Sequence, residues 1–389
     1  MSQTTSRLLM PAHTNIGEGA VNELGATVRR FGAKSVFVFT DRGVRDAGLV
    51  TPLVEDLGKV VPEVALFDET EQEPTVEGID KASSALGNVP AAGLLISVGG
   101  GSVMDTAKCA NIVRMNGGSI LDYEGGAEGQ RQIARLLPHI AIPTTAGTGS
   151  EATVWAVFVD RKRRCKTAVQ DPRLVPDSVI LDPLMTRTLP PRLTASTGMD
   201  ALTHAIESYV SVYANPVTEA YCLHAIRLIA SSLPSAVADG GDLKARMNML
   251  LASFMAGSAF SNSSLGIVHT MAETLGGFYG IPHGVTNSLM LPHVMEFNWT
   301  SVTEKLSTIA QVMGNDTIGL GPDESLKRSA IAASELSERI GLPQKLREVG
   351  VDRLDLHELA KMAFKWANIS GNPRQITEDQ LERLYEEAF

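Results

Sequence analysis

Asp200 and His204 stand four residues apart in Thr197-Gly198-Met199-Asp200-Ala201-Leu202-Thr203-His204. On a helix that spacing puts both on one face, so the pair can grip a single ion. His269 and His283 follow, each beside glycine, in Gly266-Ile267-Val268-His269 and Gly280-Ile281-Pro282-His283-Gly284. One carboxylate with three imidazoles suits a divalent transition metal better than Ca²⁺ or Mg²⁺. A lone histidine is more often structural than ligating, and an Asp-x-x-x-His pair also arises by chance. The pieces become specific only in combination.

A second constellation lies upstream. Val98-Gly99-Gly100-Gly101-Ser102 ends an apolar run and opens a helix-like segment through Lys108. Glycines let the backbone approach a diphosphate, and the following helix start offers free N–H groups and a positive dipole end. The loop is neither a GxGxxG fingerprint nor a Walker A loop; by itself it reads equally well as a structural turn. Asp41 follows the run at 35–40. A carboxylate there either caps a helix or binds adenosine ribose hydroxyls, repelling a 2′-phosphate and favouring NAD over NADP. Thr144, Thr145 and Thr148 sit among glycines after the run at 139–143, at the strand end where open parallel sheets bind ligands. A phosphate loop followed by a metal site points to nucleotide-assisted chemistry at a metal.

These residues must be held by elements. Strand signals at 35–40, 65–67, 93–98 and 139–143 alternate with helix-like segments at 19–31 and 75–86. Such alternation implies βαβ units and a mostly parallel sheet, a Rossmann-like α/β domain. Residues 155–160 and 178–181 read as later strands. Pro183, Pro190 and Pro191 then punctuate the chain, and the pattern turns helical: 197–212, 219–231, 244–260, 266–275, 302–312, 325–340 and 352–367. The expected division is an α/β domain over 1–187 and an all-α domain over 188–389.

Composition narrows the classes. The 389 residues are 44% hydrophobic and 20% charged, and the net charge is −10, which argues against nucleic acid or an anionic membrane as partner. Three cysteines without CxxC spacing fit a reducing cytoplasm rather than a disulfide framework. No secretory signal segment and no uninterrupted apolar run of membrane-spanning length is present, so a cytoplasmic protein is expected.

Taken together, GGGSVMDTAK (99–108), PTTAGTGSE (143–151), MDALTHAIESY (199–209), PHGVTNSLMLPHV (282–294) and GNPR (371–374) resemble the iron-containing (group III) alcohol dehydrogenases over nearly the whole chain. The resemblance implies the dehydroquinate synthase-like two-domain architecture. It implies metal ligands at Asp200, His204, His269 and His283, and diphosphate contacts at Gly100, Gly101 and Ser102. It places nicotinamide-side threonines at Thr144, Thr145, Thr148 and Thr153, a cofactor lysine at Lys166 and an adenosine-side aspartate at Asp41. The metal it implies is Fe²⁺, with Zn²⁺ or Mn²⁺ as alternatives; the likeness also implies a homodimer or higher homo-oligomer.

Two positions depart from the family pattern. Many members carry histidine four residues after the third ligand, where this chain has Glu273; it reads either as a proton relay or as an ordinary polar helix residue. Many have aspartate where Trp366 stands. With Trp155, Phe260 and Leu265, Trp366 and Glu273 are the candidate pocket lining, the tryptophans reading equally as core. The implied reaction is reversible, NAD-dependent oxidation of a primary alcohol to an aldehyde, with the metal acting on the substrate oxygen. The alternatives are a metal-independent, maleylacetate-type reductase and a non-catalytic NAD- or metal-binding protein.

Overall fold

The computed structural model describes residues 8–87, 93–125, 129–163, 165–317, 320–365 and 367–389. The chain forms two compact units. One comprises residues 9–145 and 149–189, the other 146–148 and 190–389 together with Leu8. The chain thus crosses to the helical unit just after Leu189, and the short segment 146–148 also belongs there rather than with the α/β unit.

The α/β unit runs β1 (His13–Ile16), α1 (Leu24–Phe31), β2 (Ser35–Phe39), α2 (Arg42–Asp46), α3 (Thr51–Leu57), β3 (Glu63–Phe67), α4 (Val76–Leu86), β4 (Leu94–Gly99), α5 (Gly101–Asn116), β5 (His139–Pro143), β6 (Trp155–Asp160), β7 (Cys165–Gln170) and β8 (Ser178–Leu181). Six strands form a wholly parallel sheet in the order β1-β8-β5-β4-β2-β3. β2, β4, β5 and β8 are buried at every position, as continuous Val/Ile/Leu-rich strands covered on both faces must be. β3 and β1 close the edges and are partly exposed. From β2 the chain goes outward to β3, then returns to lay β4 on the other side of β2. The order therefore reverses between β2 and β4, and ligands of such sheets bind at the carboxyl ends of strands flanking that reversal. β6 and β7 form a separate antiparallel hairpin.

The helical unit comprises α6 (Pro191–Val210), α7 (Pro216–Ala238), α8 (Leu243–Ser263), α9 (Ile267–Tyr279), α10 (His283–Asn298), α11 (Thr303–Val312), α12 (Pro322–Arg339), α13 (Leu356–Ala363) and α14 (Glu378–Ala388). Pro191 opens α6 at its first position, where the missing N–H costs nothing. Every residue of α6 from Gly198 to Val210 is buried, so this is a central helix with no solvated face. It packs against α7, α8 and α10. Among the described residues no helix is long and apolar enough to cross a membrane.

Three expectations needed adjustment. α6 starts at Pro191 rather than 197. The helix expected over 352–367 is broken into a 3₁₀ turn, α13 and a second 3₁₀ turn. β1 and β7, which carry no strong strand signal, both form.

Candidate active site

The carboxyl ends of β2, β4 and β5 bring Asp41, the glycine loop and Thr144–Thr145 together within the α/β unit. Asp41 leaves β2 and caps α2, its Oδ1 accepting the Val44 N–H at 2.9 Å. Gly99 ends β4, and Gly100 is the N-cap of α5 with no side-chain cap. The first N–H groups of α5 thus have no side-chain cap. A Cβ on Gly100 would press to 3.2 Å on Thr145, so glycine lets the two loops touch. Thr144 is buried beside them, its N–H donating to the Gly99 carbonyl at 3.0 Å. The Ser102 hydroxyl donates to the Gln72 carbonyl. Lys166, on β7, pairs with Glu73 at 2.9 Å. Thr153 is buried with its hydroxyl 3.2 Å from the Lys108 ammonium. Thr148 belongs to the segment grouped with the helical unit.

The carboxylate–histidine constellation is built within the helical unit by α6, α9 and α10. Asp200 and His204 share a face of α6, His269 lies in the first turn of α9, and His283 is the first residue of α10. Ligand atoms of Asp200, His269 and His283 all lie within 4.8 Å of one another. Nε2 of His269 and of His283 each stand 3.7 Å from Asp200 Oδ1, and His204 Nε2 stands 3.9 Å from it. His204 lies at the margin of the cluster. Its ring stacks between His269 (4.4 Å) and Phe260 (4.5 Å), and its Nδ1 is 3.3 Å from the Gly147 carbonyl.

Two residues that the motifs did not single out complete this centre. Glu207, buried on α6, accepts from His269 Nδ1 at 2.5 Å through one oxygen and from the Val268 N–H at 2.7 Å through the other. It substitutes for the missing side-chain cap of α9 and fixes His269 with Nε2 facing Asp200. Asn287, one turn along α10 from His283, points Nδ2 at Asp200 Oδ1 (2.7 Å), His283 Nε2 (3.1 Å) and His269 Nε2 (3.3 Å). Its own Oδ1 is buried and without a hydrogen-bond partner among the described residues. Glu207 follows His204 by three residues, so the helix-face argument that linked Asp200 to His204 also reaches it.

Electrostatics match a cation site. Burial pushes the Asp200 carboxyl upward, but His204, His269 and His283 outweigh it and hold the group below the usual carboxylate range. Burial lowers His204 to about 4, which keeps its ring neutral. Burial also opposes protonation of His269, but the Glu207 and Asp200 carboxylates overcome it and raise the ring to about 10. The cluster thus holds an ionised Asp200 beside a neutral His204 and a protonated His269, and a metal ion there would displace the His269 proton. A carboxylate and three imidazoles, with a second carboxylate behind one of them, have the chemistry to hold a transition-metal ion.

A model of the iron-containing alcohol dehydrogenases matches residues 11–183, and a model of the C-terminal part of the Fe-containing alcohol dehydrogenase family matches residues 194–389. The chain belongs to the iron-containing alcohol dehydrogenase family. It is 38% identical over 388 residues to the NAD-dependent methanol dehydrogenase of Bacillus methanolicus, covering 99% of this chain and all of that one. It is 38% identical over 391 residues to the 1,3-propanediol dehydrogenase of Klebsiella pneumoniae, covering both chains fully. The crystal structure of a 1,3-propanediol oxidoreductase superposes with a TM-score of 0.94 at 38% identity, over 99% of this chain and all of that one. An iron-containing alcohol dehydrogenase is an oxidoreductase acting on CH–OH groups.

The lining candidates of this dehydrogenase fall in both units. Phe260 and Leu265 are buried in the helical unit, and Glu273 is half-buried on α9, one turn past His269. Trp155 is half-buried at the start of β6 in the α/β unit. Trp366 lies outside the described residues.

Proposed function

We propose that this enzyme oxidises a small primary alcohol to its aldehyde with NAD⁺, and runs the reverse with NADH, using Asp200, His204, His269 and His283 to hold a divalent metal. The observation that carries the reading is the convergence of these four side chains with Glu207 behind His269. Bound there, Fe²⁺, or Zn²⁺ or Mn²⁺ in its place, supplies Lewis acidity to the substrate oxygen. Fe²⁺ is preferred here on family grounds, since affinity order alone favours Zn²⁺.

The chain's own residues do the rest. Gly100, Gly101 and Ser102 at the N-terminus of α5 receive the cofactor diphosphate. Thr144, Thr145, Thr148 and Thr153 serve its nicotinamide side, with Lys166 as a further contact. Asp41, at the end of β2, takes the adenosine ribose hydroxyls and repels a 2′-phosphate, which selects NAD over NADP. Glu207 keeps His269 in one tautomer. Held by these residues, NAD⁺ would supply the acceptor for a hydride from the alcohol carbon, and the hydroxyl proton would pass to solvent. Relatives named for methanol and 1,3-propanediol place short alcohols and diols first among substrates to try.

The test is elemental analysis of protein purified without added metal. It is paired with NADH and NADPH oxidation on a panel of short aldehydes, before and after chelation. About one Fe or Zn per chain is expected, with NADH preferred and activity lost on chelation and regained with metal. Activity indifferent to chelation would reject the metal reading and leave a metal-independent reductase.

A further inference from the structure

The segment Gly371-Asn372-Pro373-Arg374 stands out in the sequence, and neither the metal ligands nor the cofactor contacts account for it. It meets one end of each of the three helices that carry the proposed ligands. Beyond α6, the Gly371 carbonyl accepts the Val212 N–H at 3.1 Å. At the end of α10, Asn372 and Asn298 exchange amide hydrogen bonds at 2.8 and 2.9 Å. Asn372 Nδ2 also donates to the Arg374 carbonyl at 2.6 Å, and Arg374 donates to the Phe297 carbonyl at 2.6 Å while lying over the Phe297 ring. Both asparagines are buried, so their amides must find partners inside the protein, and the reciprocal pair supplies them.

The third helix end is the turn that leads into α9. A Cβ on Gly371 would stand 2.1 Å from the Leu265 carbonyl oxygen. A Cβ on Gly266 would stand 2.9 Å from Asn372 Oδ1 and 2.9 Å from Glu207 Oε1. Asn372 and Glu207 therefore meet across a glycine that leaves no slack. Ser264, in the same turn, is the only non-glycine residue with positive φ among the described residues, at φ 66° and ψ 176°. Such a backbone persists only where its surroundings impose it. Ser263 before it is tied to α6 and its end: its hydroxyl lies 2.7 Å from that of Ser208, and its carbonyl accepts the Ser211 hydroxyl. We propose that Asn372 is a positioning residue for His269. Paired with Asn298, it holds Gly266 against Glu207, so that one carboxylate oxygen caps α9 while the other orients the imidazole. The proposal rests on the metal reading above. Asn372 acts through Gly266 and Glu207 rather than on the metal.

The experiment is competition for Zn²⁺ by a chelator of known affinity on the Zn²⁺-loaded, full-length enzyme, with NADH binding and urea denaturation measured on the same samples. Loss of a group that supports a ligating imidazole costs about ten- to a hundred-fold in metal affinity, and Asn372→Ala, one step further out, should weaken Zn²⁺ by about ten-fold. NADH affinity should stay as it is in the unaltered protein. Residues that act as one unit are not additive, so adding Asn372→Ala to Glu207→Gln should deepen the loss from Glu207→Gln by less than about two-fold. A purely structural role would lower the urea midpoint and leave the Zn²⁺ affinity of the folded protein untouched. That outcome, or full additivity in the double variant, overturns the positioning role. If Asn372→Ala does not fold, Asn298→Ala removes the same amide pair from the α10 side and decides by the same criteria. Failure of the unaltered protein to bind Zn²⁺ would overturn the metal reading itself, whereas equal binding by the unaltered protein and the variant overturns the role of Asn372 alone.

Discussion

Single residues decide the chemistry, and the roles of Glu207 and Asn287 emerge in three dimensions. Its charge lies against the Nδ1 side of His269, and the same carboxylate satisfies the Val268 N–H. Partners of this kind orient a ligating imidazole and raise its basicity; losing one typically costs about ten- to a hundred-fold in metal affinity. Glu207→Gln preserves shape and removes charge, so it should weaken the metal by that factor while the fold persists. Competition against a chelator of known affinity reads this directly, and an unchanged metal affinity would reduce Glu207 to a helix cap. The four proposed ligands stood out as candidates because glycine-flanked histidines and a four-residue spacing are local patterns. Glu207 did not, since a glutamate on a helix ordinarily reads as a solvated face. Its partner lies 62 residues further on, a distance no local pattern spans. Asn287 stands four residues after His283, and an asparagine carries no signal until its amide is seen to aim at three ligand atoms.

At the scale of elements, legibility follows burial. β2, β4, β5 and β8 are short apolar runs, and they are the strands covered on both faces. β1 (HTNI) and β7 (CKTAVQ) lie at a sheet edge and in a hairpin, where polar residues are tolerated and the apolar signal fades. The break around α13 has a similar cause: Asp352 caps a 3₁₀ turn through the Leu354 N–H instead of extending a helix. Helix α10 shows how an element positions the proposed metal ligands. It supplies His283 at its first position, and Gly284 next to it lies so close to α6 that a Cβ would overlap the Ser196 carbonyl. The clash is with backbone, which cannot rotate away as a side chain could. Gly284→Ala should therefore push α10 from α6, costing ~1–3 kcal/mol, the usual range for overpacking, and loosening His283 from Asp200. Urea denaturation together with metal content tests this. A variant with wild-type midpoint and full metal occupancy would show that the approach of the two helices is not what sets the site.

The whole molecule carries a net charge of −10, yet its pH response should be shaped by a few buried groups in the α/β unit. Glu151 is 1% exposed, its Oε1 has no hydrogen-bond partner among the described residues, and burial lifts its carboxyl to about 7, against the pull of its own N–H and of Lys108. Burial drives Lys108 the other way, to about 8, although Asp105 and Glu151 favour its charge. A carboxyl raised on folding holds its proton more tightly in the native state. Its contribution is therefore complete below the unfolded value near 4.5 and is lost as pH climbs through about 7. A lysine lowered on folding does the opposite, so stability returns between about 8 and 10.5. Taken by themselves, these two groups contribute least to stability between pH 7 and 8. At 1.36 kcal/mol per pKa unit, the Glu151 limb amounts to on the order of 3 kcal/mol. Glu151→Gln removes that limb alone, because a neutral amide has nothing to ionise. Relative to the unaltered protein, the variant should gain about that much between pH 4.5 and 7.5, read from denaturation midpoints of the α/β unit across the range. Parallel curves for the two proteins would mean that Glu151 titrates in the native state as it does in the unfolded chain, and that its burial is relieved by water the carboxyl can reach.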